Sequence, residues 1–275
     1  MLKKMKNYCR TYFDDRRNVA YVTKQIDANQ LQIKEIEIET VNRCNGKCSF
    51  CPVNVKEPQR EYAKMSTELF YKIIQELVDM NYKGMLSIYS NNEPFLDERI
   101  VDFYKYAREK LPDARLNLYT NGTVMSLEKF KEIVDYLDNM VVDNYNDDLE
   151  VLPNLKEIFL YLQEHKELMD KVNFVVRPQN QVRTSRGGQA PNKLEAKGIH
   201  ELCLLPFRMV VIRPTGKISL CCNDALGKYT LGDVSKDKLL DIWNSLEYEQ
   251  IRREMLKNRR KNLKLCKNCD TKTRP

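Results

Sequence analysis

Within the segment CNGKCSFC, Cys44, Cys48 and Cys51 stand close enough for one loop to turn three thiolates toward a single inorganic centre. Zinc would need a fourth Cys or His to close its tetrahedron, and the only histidines, His165 and His200, are far away in sequence. A cubane iron–sulfur cluster held by three cysteines instead leaves one iron open to an outside ligand. A second group, Cys203, Cys221, Cys222, Cys266 and Cys269, offers five thiols for four places and ends in a CxxC pair. That arrangement describes a closed iron–sulfur site or a structural zinc site equally well. In a regular strand Cys221 and Cys222 point to opposite faces, so one of them reaches the shared centre. Cys9 stands outside both groups and reads as an ordinary thiol. Clustered, odd-numbered cysteines in a reducing compartment argue for metal binding over a disulfide framework.

These thiols must be positioned by the elements around them. Residues 36–42 alternate like a strand and run straight into the first cysteine loop. Residues 66–80 carry an N-cap Ser and apolar residues at helical spacing, and 85–90 form a short apolar strand. The alternation goes on with helices near 97–110, 126–137 and 152–165 and strands at 115–119, 140–143 and 171–176. Strands alternating with helices imply a parallel sheet whose loops gather at the strands' C-terminal ends, where ligands bind. The expected fold is α/β: a partial, open parallel (β/α) barrel of five to six strands, too few to close. Residues 183–202 read as a polar linker. Beyond Cys203, residues 207–222 read as a hairpin around Pro214-Thr215-Gly216, and 238–257 as one amphipathic helix. A hairpin and a helix make a small core that a metal site would staple.

Composition narrows the class. At 275 residues and 42% hydrophobic the chain can bury a sizeable core, yet it has no apolar run of the roughly 18 residues a membrane helix needs. A soluble, cytoplasmic protein with no membrane partner is expected. The net charge of +7 is concentrated from Arg252 onward, where ten Lys or Arg face two acids. Such a tail suits either a nucleic-acid contact or the solvation of a helix end beside a negatively charged thiolate cluster, and the second is preferred.

The CX3CX2C spacing, with Phe50 before the last cysteine, resembles the signature of the radical S-adenosylmethionine (radical SAM) superfamily. That resemblance implies a [4Fe-4S] cluster on Cys44, Cys48 and Cys51, with S-adenosyl-L-methionine completing the open iron. Asn91-Asn92-Glu93-Pro94 occupies the place of the family's GGEP motif, which meets the methionyl amino group. Asn in place of Gly is expected to supply positive φ there. Thr120 and Asn121 fall where the family lays a strand end near the ribose, although Asn121-Gly122 also reads simply as a turn. The second cysteine group resembles the shortened SPASM appendage called a twitch domain, implying an auxiliary [4Fe-4S] cluster on Cys203, Cys221, Cys266 and Cys269. Residues 1–35 would then be an N-terminal extension, 36–182 the radical SAM core, 183–202 a linker and 203–275 the twitch domain.

The resemblance implies an enzyme that generates a 5′-deoxyadenosyl radical, abstracts hydrogen from a small molecule and passes the leftover electron to the auxiliary cluster. Within the family the chain is similar to dehydrogenases that oxidise a sugar, cyclitol or related polyol from alcohol to ketone. The carriers of that similarity are the cysteine spacing, the Arg186-Gly187-Gly188 loop and Glu37. Arg186 would bind or deprotonate a hydroxyl-bearing substrate, and Glu37, alternating with Glu39, would face the cavity. One departure is Asn223, where an acidic substrate contact is expected. A flavodoxin- or ferredoxin-like electron donor is implied. The competing readings are SPASM-type modification of a ribosomally made peptide, disfavoured because residues 1–35 look too short and polar to bind a leader, and a nonenzymatic zinc protein that binds nucleic acid.

Overall fold

The computed structural model describes residues 2–28, 31–53 and 60–275, with residues 2–12 as backbone only. Cys9 therefore lies outside the described side chains. Seven strands form one sheet: β1 (Glu35–Ile38), β2 (Met85–Ser87), β3 (Arg115–Thr120), β4 (Asn139–Tyr145), β5 (Val172–Arg177), β6 (Met209–Ile212) and β7 (Ile218–Ser219). Their order is β5-β4-β3-β2-β1-β6-β7, parallel throughout except for the antiparallel β6–β7 pair. The sheet is open. Strands β1 and β6 pair from Glu35 opposite Met209 to Ile38 opposite Ile212. The hairpin predicted as part of a separate small core thus continues the main sheet, where burial against β1 supplies the support it would otherwise lack.

The helices follow the expected rhythm: α2 (Thr67–Asp79), α3 (Ile100–Lys110), α4 (Leu127–Val134) and α5 (Lys156–Glu164). Ser66 caps α2 by accepting from Leu69 N, and Phe70, Ile73, Ile74 and Leu77 turn one stripe into the core. Strand β1 is shorter than its alternating sequence. Ile36 and Ile38 are fully buried, but the ladder ends there and Glu39 onward forms the approach to the cysteine loop. The helix expected over 238–257 is two, α6 (Leu239–Trp243) and α7 (Leu246–Asn258), because Ser245 leaves the helix to cap α7 through Tyr248 N. The break seats Trp243 in the core, with its indole N–H on Leu31 O at 3.0 Å and the Arg252 guanidinium 4.0 Å from its ring centre.

The N-terminal segment holds a 26-residue helix, α1 (Leu2–Asp27). Its buried Asn18 donates to Leu202 O (2.9 Å) and Thr273 O (3.1 Å), while Asp15 pairs with Arg259 and Asp14 with Arg274. This helix clasps both ends of the region after residue 200. No helix among the described residues is long and apolar enough to cross a membrane.

Candidate functional site

The cysteine loop leaves the C-terminal end of β1 and lines a cavity of about 220 Å³ that Cys44, Cys48, Phe50 and Cys51 share with the ends of β2, β3 and β4. Cys44 Sγ accepts from Gly46 N at 3.3 Å and Asn121 Nδ2 at 3.7 Å. Burial pushes the Cys44 thiol up to about 12, with Glu93 and the two neighbouring thiols adding to the rise against the Gly46 N–H. Burial likewise pushes Cys48 up to about 12, reinforced by Cys51. Crowded thiols that resist ionisation alone are suited to a cationic iron centre, which reverses that penalty. Among the described residues no three His, Cys, Asp or Glu side chains converge on a single-ion site. A cuboidal cluster, giving each thiolate its own iron, spaces its ligands more widely than one zinc does.

The loop after β2 is organised around Glu93. Its carboxylate accepts from Phe95 N (3.1 Å), Thr120 Oγ1 (2.6 Å) and Asn121 N (2.8 Å), and Pro94 opens a single 3₁₀ turn behind it, outside the cavity lining. Burial raises Glu93 to about 7 in spite of those three donors. The expectation of positive φ at Asn91 and Asn92 is not met: neither belongs to the positive-φ residues. Their amides serve instead. Asn92 Oδ1 accepts from Ser90 N, Asn91 Nδ2 donates to Ser90 Oγ and to Cys222 O, and Asn92 Nδ2 is buried with no partner. That orphan donor, at the cavity wall, fits a polar cofactor group. Thr120 and Asn121 line the cavity and also build the turn through Gly122, whose φ is +71°.

Glu37 and Glu39 part company. Glu39 is buried in an ion pair with Arg60 at 2.7 Å and accepts from Asn91 N, so it braces the loop instead of facing the cavity. Glu37 sits behind the wall, its carboxylate taking the Ser90 Oγ–H at 2.5 Å, and Ser90 itself lines the cavity. Burial raises Glu37 to about 7, against the lowering effects of Ser90 and Arg186. Arg186 lines the same cavity in a left-handed conformation (φ +48°), donating to Asn91 Oδ1 and Cys222 O, with its Nε buried and unpartnered. The following Gly187 (φ +65°) lies so close to Leu265 that a Cβ would fall 2.5 Å from its Cδ1. Ser185 donates from Oγ to Asn268 O and from N to Asp270. The arginine turn therefore rests on the second cysteine segment.

Cys203, Cys221, Cys266 and Cys269 are each under a tenth exposed. Burial and the other thiols of the group push Cys221 well up, and burial does the same for Cys203 and Cys266 while the buried Arg260 acts in the opposite direction. Burial also pushes the Cys222 thiol up, with Glu37 adding to the rise and Arg186 opposing it, and its backbone carbonyl accepts from Asn91 and Arg186 of the cavity wall. Asn223 is buried and does not line the cavity.

Several wall residues escaped the sequence reading: Tyr89 and Tyr119 with ring centres 5.3 Å apart, Tyr145 against Phe50 at 5.5 Å, Arg183 over the Phe50 ring, and Asp143 in an ion pair with Arg177. The available signal was positional, since Tyr119, Asp143 and Tyr145 sit at the C-terminal ends of β3 and β4 where a parallel sheet presents its ligand face.

The radical SAM superfamily model matches residues 38–174, and the SPASM model, described as an iron-sulfur cluster-binding domain, matches residues 203–270. The chain is 24% identical over 237 residues to the S-adenosyl-L-methionine-dependent 2-deoxy-scyllo-inosamine dehydrogenase of Niallia circulans, covering 86% of this chain and 92% of the relative. A shorter match, 25% identical over 126 residues, is to the tungsten-containing aldehyde ferredoxin oxidoreductase cofactor-modifying protein of Pyrococcus furiosus and spans 46% of this chain and 33% of that protein. The fold resembles BtrN in complex with AdoMet and 2-DOIA, with a TM-score of 0.74, 23% identity and coverage of 87% of this chain and 93% of that one. It also resembles anSMEcpe with bound AdoMet, with a TM-score of 0.58, 14% identity and coverage of 86% and 88%.

Proposed function

We propose that this chain, which belongs to the radical SAM superfamily and carries an iron–sulfur domain of the SPASM type, oxidises a secondary alcohol of a small polyhydroxylated ring to a ketone. The observation that carries the reading is the position of Arg186. It lines the cavity whose other end holds Cys44, Cys48 and Cys51, and it is hydrogen-bonded to the backbone of Cys222, next to Cys221. Substrate held there lies between the two cysteine groups. The similarity to a cyclitol dehydrogenase along most of both chains supports the same chemistry.

Cys44, Cys48 and Cys51 would hold one [4Fe-4S] cluster, and Cys203, Cys221, Cys266 and Cys269 the auxiliary one. Glu93 and Asn92 would meet the methionyl end of S-adenosylmethionine, with Thr120, Asn121 and Phe50 along its nucleoside. When bound, these cofactors supply hydrogen-atom abstraction from the carbinol carbon and accept the electron that remains. The protein handles the proton. Arg186 orients the hydroxyl through its free Nε–H, and Ser90 relays the hydroxyl proton to Glu37, whose burial-raised affinity makes it a base near neutrality. Tyr89 and Tyr119 wall the cavity against water. The free thiols of both groups suit the cytoplasm, where a flavodoxin- or ferredoxin-like protein would supply electrons.

The test is anaerobic incubation of the reconstituted, reduced protein with S-adenosylmethionine and a panel of cyclitols and sugars. Formation of 5′-deoxyadenosine together with a product two hydrogens lighter supports the proposal. A product of unchanged mass in H2O that gains one deuterium at carbon in D2O means epimerisation and overturns it, as does turnover confined to peptides.

A further inference from the structure

The charge excess of the C-terminal segment resolves into two populations. Its arginines are all engaged: Arg252 is stacked on Trp243, Arg260 is buried on Glu201 O, Cys269 O and Thr271 O, Arg259 and Arg274 pair with Asp15 and Asp14, and the exposed Arg253 pairs with Glu249 one turn away on its own helix. Lys272 pairs with Glu201. Lys257, Lys261, Lys264 and Lys267 remain exposed, and none has a carboxylate within ion-pair distance among the described residues; Lys257 lies on α7, the other three in the segment that follows it.

Two more lysines of the same kind join them from other parts of the chain. The Tyr229 hydroxyl lies close to the backbone of Lys264 and Leu265, so the exposed Lys228 is one residue away from a side chain that reaches the Lys264 segment. Gly198 packs so tightly on Lys267 that a Cβ would sit 2.1 Å from its carbonyl oxygen, which brings the exposed Lys197 beside Lys267. The acids nearby are Asp270, already neutralised by Lys193 at 2.6 Å, Asp224, buried and occupied by backbone N–H groups of Lys228 and Tyr229, and the exposed Glu195. Lys267 itself stands between Cys266 and Cys269, both buried, and opens to solvent on the same turn.

We infer that Lys197, Lys228, Lys261, Lys264 and Lys267 form a docking rim for an acidic one-electron carrier protein directly over the auxiliary-cluster loop. The inference rests on the assignment of that cluster to the second cysteine group. Arginines would have served for buried or bidentate contacts, whereas unpaired, strongly hydrated lysines on a surface raise the encounter rate of an oppositely charged partner without fixing one geometry. The position matters as much as the charge. An acidic carrier seated on Lys264 and Lys267 lies against the loop that bears two of the four ligands, so the electron left after substrate oxidation has a short exit. The oxidised carrier gains that one electron, the ketone forms, and the proton leaves through Glu37 to solvent. A polyanionic nucleic acid is the other class of partner a lysine rim could attract. The rim's position around the cysteine loop, with the neighbouring arginines already buried or ion-paired, favours the carrier.

The experiment uses the full chain with both clusters reconstituted, titrated anaerobically with an oxidised acidic flavodoxin and followed by flavin fluorescence anisotropy at about 50 mM and 500 mM salt. Saturable binding is expected, weakened at least tenfold by Lys228→Glu/Lys264→Glu/Lys267→Glu at low salt, with the difference collapsing at high salt because screening then acts within a few ångströms. The equally charged control Lys105→Glu/Lys156→Glu/Lys166→Glu, on exposed positions of the helical layer, should bind as the wild type does. Since Lys267 adjoins two ligands, Lys197→Glu/Lys228→Glu/Lys264→Glu is measured beside it, with iron content and the reduced-cluster EPR spectrum of each variant. Equal weakening by the control, no effect of either rim triple with both clusters intact, or tighter lysine-dependent binding of a short DNA duplex would each overturn the inference. A wild-type protein holding only one cluster would instead overturn the underlying assignment.

Discussion

Replacing Glu37 with Gln should stabilise the protein increasingly as pH rises. Burial lifts this acid from its usual 4.5 to about 7, against the Ser90 hydrogen bond and the Arg186 charge. The folded state thus holds the proton more tightly than the unfolded chain does. The associated stability is complete below about pH 4.5 and is lost as pH climbs through 7. At about 1.4 kcal/mol per pH unit the full displacement is worth about 3 kcal/mol, of which about 2.5 kcal/mol falls between pH 5 and 8. Gln cannot ionise and keeps a donor and an acceptor for Ser90, so it escapes this loss. Anaerobic denaturant unfolding of wild type and Glu37→Gln, matched for iron content, should show the variant gaining about that amount on the wild type from pH 5 to 8. The same substitution removes the proposed base, so ketone yield should fall by about two orders of magnitude or more while 5′-deoxyadenosine still forms, and the rise of wild-type rate with pH toward 7 should vanish. A stability difference that stays flat across this range refutes the burial argument. Full ketone yield in the variant refutes the proton route.

Other outcomes follow from the same geometry. Cys222→Ser should keep about eight irons per chain, whereas Cys221→Ser should lose the auxiliary cluster and leave about four, as read by iron assay and EPR. Gly187→Ala forces a side chain into Leu265 at a positive φ and should cost about 1–3 kcal/mol, with a lowered ketone yield because the Arg186 turn shifts. Arg186→Lys keeps the charge but loses the unpartnered Nε–H and the planar Nη2 that donates to both Asn91 and Cys222, and should reduce turnover about 10- to 100-fold while S-adenosylmethionine binding, measured by equilibrium dialysis, stays within about twofold.

Much of this was legible in the chain because it depends on local spacing. The CX3CX2C loop after a strand, the strand–helix alternation and the N-cap serine at Ser66 each express backbone rules that act over a few residues. The asparagines at 91 and 92 show where local reasoning fails. Positive φ was inferred from the glycines they replace, yet the structure uses their amides to tie Ser90, Arg186 and Cys222 together, and those contacts span as many as 131 positions in sequence. Glu37 and Glu39 share a strand face and look equivalent, but Arg60 approaches one and Ser90 the other. The hairpin joins the main sheet because β6 finds an open edge on β1, and α1 becomes a clasp because Asn18 meets the carbonyls of Leu202 and Thr273. The sequence by itself determined which residues can ligate iron and the order of elements that carries them, since both follow from spacing and periodicity. Which partner each of the two neighbouring carboxylates meets and which charges of the tail remain free were decided only by tertiary packing, because each depends on what a distant segment places beside it.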